Sequence, residues 1–231
     1  MDFWINLFHE MEGNSVLELA CGTGRLSQIL LREGAYYTGL EILPEFANEA
    51  RKKLDSYGDF VSIVDGDMRT FNLDKKFDLV FIGFNSFLHL LTDEDAMDFF
   101  RCVQNHMHVN SHFVIDIYIP NPLFLYRPHG VRFPVLEFTD SQTNDAVFVE
   151  ESNIYDSQTE INEITWYFST KDKKDYDQRK FYVRMFFPSK MNQMLIDAGF
   201  SISHQWGDYY RTDLNEGSKL QIYDMKLSKG C

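Results

Sequence analysis

Val16-Leu17-Glu18-Leu19-Ala20-Cys21-Gly22-Thr23-Gly24-Arg25-Leu26 is the stretch whose reading decides the fold. A short apolar strand over residues 16–20 runs straight into a glycine turn, and a helix is expected to open at Arg25. Such a turn brings backbone without Cβ atoms to the carboxyl edge of a strand, beside a helix N-terminus. In open α/β sheets that corner receives the polar end of a nucleotide-like ligand. Glycines also close ordinary strand-to-helix turns, so the neighbours of the turn carry the distinction. The G-x-G pattern lacks the third glycine of the dinucleotide fingerprint, and it lacks the Gly-Lys-Ser/Thr of a triphosphate loop. Glu18 stands inside the strand where an apolar residue is expected. A buried carboxylate there needs a partner, which the ammonium group of an amino-acid-bearing ligand would supply.

Periodicity on both sides extends the pattern. Residues 2–12 read as an amphipathic helix, with Phe3, Leu7, Phe8 and Met11 on one face. Leu26, Ile29, Leu30 and Leu31 line a helix closed by Gly34, and residues 35–40 form a second strand ending at Glu41. Pro44 opens the next helix. Residues 60–64 and 77–82 read as strands, Asp93-Glu94-Asp95 opens another helix, and residues 113–119 form a fifth strand. Strands alternating with helices imply parallel βαβ units, hence an α/β, doubly wound, Rossmann-like sheet. From residue 131 the period becomes two, giving antiparallel strands over 131–139, 146–155, 160–170 and 179–187. A helix over 189–198 and strands over 200–206 and 220–227 return to the main sheet, the last strand antiparallel. The expected plan is one domain of residues 1–130 and 188–231, interrupted by a β insertion over 131–187.

Composition restricts the partners. The 231 residues are 44% apolar and 16% aromatic, enough for one packed domain with an insertion. The formal charge of −13 argues against a nucleic-acid backbone as partner, because that affinity rests on Lys and Arg. It offers mild attraction to cationic substrates. Cys21, Cys102 and Cys231 form neither a metal-ligand motif nor a disulfide framework, and Cys21 reads as a small filler in the turn. The first residues show no basic segment followed by an apolar core, and no stretch approaches the length of a membrane span. The expectation is a cytoplasmic protein without metal, membrane or nucleic acid.

The stretch from Leu17 to Arg25 resembles the glycine-rich motif of the class I S-adenosylmethionine-dependent methyltransferases, E/D-x-x-C/G-G-x-G. The resemblance implies that the loop packs against the methionine part of S-adenosyl-L-methionine, with Glu18, Ala20, Gly22 and Gly24 as cofactor-binding positions. Glu41, at the next strand end, suits the ribose hydroxyls, and Ile42 after it is counted with the cofactor residues. In Val64-Asp65-Gly66-Asp67-Met68-Arg69 the family pattern gives the adenine amino group to Asp67 and the ring to Met68, with Asp65 as the other acid within reach. Phe84 and Asn85, after the fourth strand, are expected to line the cofactor pocket. His89 is the candidate general base, with a packed structural histidine as the alternative. Relatives carry K-P-G-G before the fifth strand; here His108-Val109-Asn110-Ser111-His112 stands instead, with Asn110 expected to take the left-handed conformation.

Phe133, Phe138, Phe148, Tyr155, Trp166, Tyr167, Phe168, Tyr182 and Phe186 make the insertion a candidate substrate cover. The alternatives are the insertion's own core or a homodimer contact. Arg127, Arg132, Tyr209 and Arg211 are candidates for an anionic substrate. The implied activity is methyl transfer to N or O of a small molecule. A catalytically inactive S-adenosylmethionine-binding protein is the alternative, and the absent third glycine disfavours a nicotinamide oxidoreductase.

Overall fold

Near-continuous apolar runs form the centre of one sheet, because strands covered by helices on both faces have no solvent side to leave polar. Val16, Leu17 and Leu19, and Phe77, Leu79, Val80, Phe81 and Ile82, are all buried on such strands. The computed structural model describes residues 2–228. In chain order its first elements are α1 (Asp2–His9), β1 (Ser15–Leu19), α2 (Ser27–Arg32), β2 (Tyr36–Glu41), α3 (Pro44–Leu54) and β3 (Val61–Asp65). They continue with β4 (Phe77–Ile82), α4 (Asp93–Asn105), β5 (Met107–Tyr118), α5 (Pro122–Leu125), β6 (Phe133–Thr139) and β7 (Ala146–Asp156). The last are β8 (Ile161–Thr170), β9 (Asp177–Arg184), α6 (Pro188–Asp197), β10 (Phe200–Trp206) and β11 (Leu220–Leu227).

The chain divides into two units. Residues 2–87, 92–119 and 187–228 form the first, and residues 88–91 and 120–186 the second. In the first, seven strands are ordered β10-β11-β5-β4-β1-β2-β3. β1 pairs in parallel with β2 and β4, β2 with β3, and β4 with β5. β11 lies antiparallel between β5 and β10. This is the doubly wound, Rossmann-like sheet expected from the sequence, with its topological switch between β1 and β4. Ligands of such sheets bind outside the carboxyl ends of the strands at that switch.

Two local expectations are corrected. The helix after the glycine turn opens at Ser27, not at Arg25. Gly22 and Gly24 both have positive φ, 57° and 72°, which no right-handed helix accommodates, so the helix waits until the turn is complete. Asn110 does not take the left-handed conformation. It lies in β5, which begins at Met107 and carries an irregularity opposite β4, where Phe77 pairs with Met107 but Leu79 with His112. Ser111 makes that irregularity feasible: its Oγ accepts from His108 N at 2.7 Å and donates to Phe77 O at 2.5 Å. The side chain thus satisfies backbone groups that the broken ladder leaves, as buried polar groups require. Cys231 lies outside the described residues.

The second unit holds the antiparallel sheet β6-β7-β8-β9. Val147, Val149, Glu151 and Asn153 are buried on one face of β7, while Phe148 and Ile154 are exposed on the other. The buried face is partly polar. Glu151 accepts from Arg127 at 3.2 Å and from Trp166 Nε1 at 2.9 Å, and Asn153 donates to Asn162 Oδ1 at 3.0 Å. Among the described residues no helix is long and apolar enough to cross a membrane.

In the first unit, α1 places Phe3, Trp4, Leu7 and Phe8 into a core shared with Val16, Leu79, Phe81, Val114 and Ile222. Trp4 is the largest of these, 1% exposed, with its ring 4.6 Å from that of Phe81 and 5.2 Å from that of Phe3. Truncating a buried aromatic of this kind costs about 3–5 kcal/mol. Trp4→Ala is therefore expected to lower the urea midpoint strongly at unchanged slope, measured by equilibrium unfolding.

Candidate active site

The glycine turn is held from β2. Ala20, Gly22 and Gly24 take φ of 55°, 57° and 72°, and Cys21 between them donates its N–H to Leu40 O at 3.0 Å. A Cβ on Gly24 would stand 2.8 Å from Ser27 Oγ, whereas the side of Gly22 where a Cβ would project is open for 4 Å. Glu41 closes the arrangement. Its Oε2 accepts from Gly22 N at 2.8 Å and its Oε1 from Leu43 N at 2.9 Å. A carboxylate has about four lone-pair positions, so two remain for ligand hydroxyls.

Glu18 lies behind the turn, 5% exposed, and the partner its burial demands is inside the protein. Tyr37 O–H donates to Glu18 Oε2 at 2.5 Å, so a tyrosine hydroxyl stands where the sequence suggests a ligand ammonium. Burial pushes the Glu18 carboxyl up to about 8, opposed by the Tyr37 hydrogen bond and the charge of Arg25. The same burial, with Glu18 and Glu41 beside it, pushes the Cys21 thiol up to about 12. A thiol held in that state is not a nucleophile at neutral pH.

At the end of β3, Gly66 N donates to Glu41 O at 3.0 Å, joining this corner to the previous one. Asp67 takes the Arg69 guanidinium on both oxygens, at 3.0 and 2.6 Å, and Arg69 bridges on to Asp95 at 2.6 Å. Those hydrogen bonds hold the Asp67 carboxyl below its ordinary range. Asp65, the other acid within reach, is bound by Arg51. Ile42 is 57% exposed at the neighbouring strand end, and Met68 is half-buried.

After β4 the chain bends through two consecutive left-handed residues, Phe84 (φ 54°) and Asn85 (φ 67°). Neither is glycine, so the bend is held by its surroundings. Asn85 N donates to Asp116 O at 3.1 Å, Phe84 N to Asp116 Oδ2 at 3.3 Å, and Tyr118 N to Asn85 Oδ1 at 2.7 Å. Tyr209 O–H also donates to Asp116 Oδ2. The Arg25 guanidinium lies over the Phe84 ring, 3.6 Å from its centroid.

Sequence reasoning missed Asp116 and Arg25 in this group, and it gave Tyr209 to an anionic substrate. The available signal was an aspartate inside the apolar run Phe113-Val114-Ile115-Asp116-Ile117, the same anomaly that singled out Glu18. The four candidates for an anionic substrate are otherwise engaged. Arg127 pairs with Glu151, Arg132 with Asp175, and Arg211 with Glu10, while Tyr209 serves Asp116. His89 ends a short 3-10 turn, Ser86–His89, and its ring is exposed. Among the described residues no three His, Cys, Asp or Glu side chains are grouped to hold a metal ion.

The site residues of the first unit thus stand at the carboxyl ends of β3, β2, β1 and β4, four neighbouring strands. The open side of Gly22 and the unused lone pairs of Glu41 fit a ligand with a nucleoside and an amino-acid end.

The Glu18 carboxyl generates a stability prediction. Its folded pKa of about 8 lies above the ordinary 4.5, so the folded state favours the proton. The group weighs least on the fold below about pH 4.5, and its cost grows as pH rises through about 8. Glu18→Gln is isosteric and does not titrate. The stability of the wild type relative to this variant is expected to fall between pH 5 and pH 8, read from denaturation midpoints at each pH.

Residues 16–110 match the family model described as a methyltransferase domain. A putative methyltransferase of Bacillus subtilis, YqeM, is 26% identical over 229 residues, covering 94% of this chain and 86% of that protein. A Streptomyces venezuelae dTDP-3-amino-3,4,6-trideoxy-α-D-glucopyranose N,N-dimethyltransferase is 36% identical over 84 residues, 36% of this chain and 34% of that one. In fold, the chain is similar to an S-adenosylmethionine-dependent methyltransferase from Clostridium acetobutylicum, with a TM-score of 0.81 at 21% identity. That match covers 98% of this chain and 90% of the other. With its glycine turn and its doubly wound sheet, the chain matches a methyltransferase domain over residues 16–110 and has the fold of a solved S-adenosylmethionine-dependent methyltransferase.

Proposed function

We propose that the protein methylates a nitrogen atom of a small amine. The observation that carries this reading is the row of polar and glycine positions along the ends of β3, β2, β1 and β4. When bound, S-adenosyl-L-methionine supplies a methyl group activated by a sulfonium. Glu41 then offers its remaining lone pairs to the ribose hydroxyls, Asp67 accepts from the adenine amino group, and Ile42 and Met68 flank the ring. Ala20, Gly22 and Gly24 bring the bare turn against the methionine end, with Glu18 fixed behind it by Tyr37. Phe84 and Asn85 complete the wall at the end of β4. Methyl displacement is in line, so alignment and exclusion of water supply much of the rate. An amine nucleophile must also be free of its proton, the task assigned to His89 in this reading.

The choice of nitrogen and of a small acceptor draws on the amino-sugar N,N-dimethyltransferase relative and on the acidity of the chain. The formal charge of −13 disfavours nucleic acid as substrate. Cytoplasmic placement accompanies this reading. So does a homodimer, for which Phe148, Ile154 and Tyr182, exposed on one face of the second sheet, are the assigned contact.

Calorimetry tests the cofactor half: S-adenosyl-L-methionine is expected to bind, and Glu41→Ala to weaken it roughly tenfold or more, the loss of hydrogen bonds to a charged group. Failure of the wild type to bind would sink the reading. The acceptor half is tested with methyl-labelled cofactor over parallel panels of amines and alcohols, where turnover confined to alcohols overturns the assignment to nitrogen. On a turned-over amine, His89→Gln is expected to lower kcat by about 100-fold at unchanged cofactor affinity.

A further inference from the structure

Asp116 is 1% exposed, and its two carboxyl oxygens are used unequally. Oδ2 takes the Phe84 N–H and the Tyr209 hydroxyl, while Oδ1 is buried with no hydrogen-bond partner. A buried carboxylate oxygen left unpaired is costly, and such a group in a native structure calls for an explanation, a catalytic role among them.

Register shows which way the side chain belongs. Phe81 pairs with Glu18 on one side and with Val114 on the other. Side chains two residues apart share a face, so Asp116 lies on the face of Glu18, one pleat nearer the carboxyl edge. At that level the neighbouring strands end in the small residues Ala20 and Gly83. Topology places it further. In the proposed reading the cofactor runs across the ends of β3, β2 and β1 and finishes against the turn after β4. The next strand in the sheet is β5, and Asp116 stands near its end. That position is beyond the methionine part of the cofactor, on the side from which an acceptor must approach.

We propose that Asp116 is the carboxylate that faces the reacting cation, its Oδ1 directed to the amine nitrogen that becomes positively charged as it takes the methyl group. The inference rests on the function proposed above and gives its acceptor a recognition group. Tyr209 and the Phe84 N–H hold Oδ2, which fixes the carboxyl plane and leaves Oδ1 as the oxygen free to bind. In such a transfer the methyl–sulfur bond would break as the methyl–nitrogen bond forms, the positive charge would pass to nitrogen, and the surplus proton would leave to the base proposed above; a fixed carboxylate would accompany that charge without reorganising. Burial raises the Asp116 carboxyl above its ordinary range, opposed by the Tyr209 hydrogen bond and the charge of Arg25. A docked cation would draw it back to the ionised form.

The test needs no knowledge of the acceptor. Sinefungin is a cofactor analogue that carries a primary ammonium on carbon where S-adenosylmethionine carries its sulfonium methyl. S-adenosylhomocysteine has neither charge nor methyl there. Calorimetry of both on the full chain is expected to show sinefungin binding roughly tenfold or more tighter. Asp116→Asn is expected to abolish that preference while the affinity for S-adenosylhomocysteine stays within about twofold. An equal loss for both ligands would assign Asp116 only to holding the turn at Phe84 and overturn the proposal. A preference that survives in Asp116→Asn overturns it as well. If the variant does not fold, the wild type still decides: equal affinity for the two ligands overturns the proposal. Failure of the wild type to bind S-adenosylhomocysteine at all would instead count against the cofactor reading.

Discussion

The grip of Glu41 on the backbone of Gly22 is the interaction on which the site depends. One carboxylate at the end of β2 accepts from the turn that follows β1 and from Leu43 at the head of α3. Two strand ends and a helix start are thereby fixed by a single buried group. Left-handed glycines give the turn its shape but no rigidity, because glycine pays the largest entropy on ordering. The hydrogen bond to Glu41 supplies that rigidity. This grip uses two of the lone pairs of the acid on the protein and leaves the others for the ligand of the proposed reading.

Glu18 and Asp116 repeat one solution on the two strands that flank β4. Each is an acid in an otherwise apolar run, each is buried, and each takes the hydroxyl of a tyrosine distant in sequence, Tyr37 and Tyr209. Burial raises both carboxyls, and Arg25 acts on both from the turn. Their difference lies in what the second oxygen meets. Glu18 sits one pleat deeper, behind the turn, whereas Asp116 sits nearer the edge with one oxygen unpaired. The low dielectric that makes these groups expensive also makes them effective toward a cation.

Much of the fold was legible because burial and punctuation agree in the sequence. Residues 77–82, 200–206 and 220–227 form strands as read: the first is a nearly continuous apolar run, and the other two carry apolar residues interleaved with polar ones between glycine or polar boundaries. The reading failed where a side chain changed the backbone's options. At 108–112 a turn looked necessary, but Ser111 supplies hydrogen bonds to two backbone groups and lets β5 start early. At 25–26 helical residues follow the glycines directly, yet the helix must wait for the turn to finish. Arg127, Arg132 and Arg211 looked available for an anion because their carboxylate partners lie 24, 43 and 201 residues away in the chain.

The sequence by itself determined the cofactor class and the sheet that carries it. Spacing along the chain is enough to put Gly22, Glu41 and Asp67 at successive strand ends, because a βαβ unit converts linear order into lateral order. Tertiary structure alone decided which distant groups meet: Tyr37 with Glu18, Arg69 with Asp95, and above all Asp116 with Tyr209 and the turn after β4. Those pairings join residues up to 93 positions apart. They follow from sheet order and pleat direction, which put side chains within hydrogen-bonding distance whatever their separation in the chain.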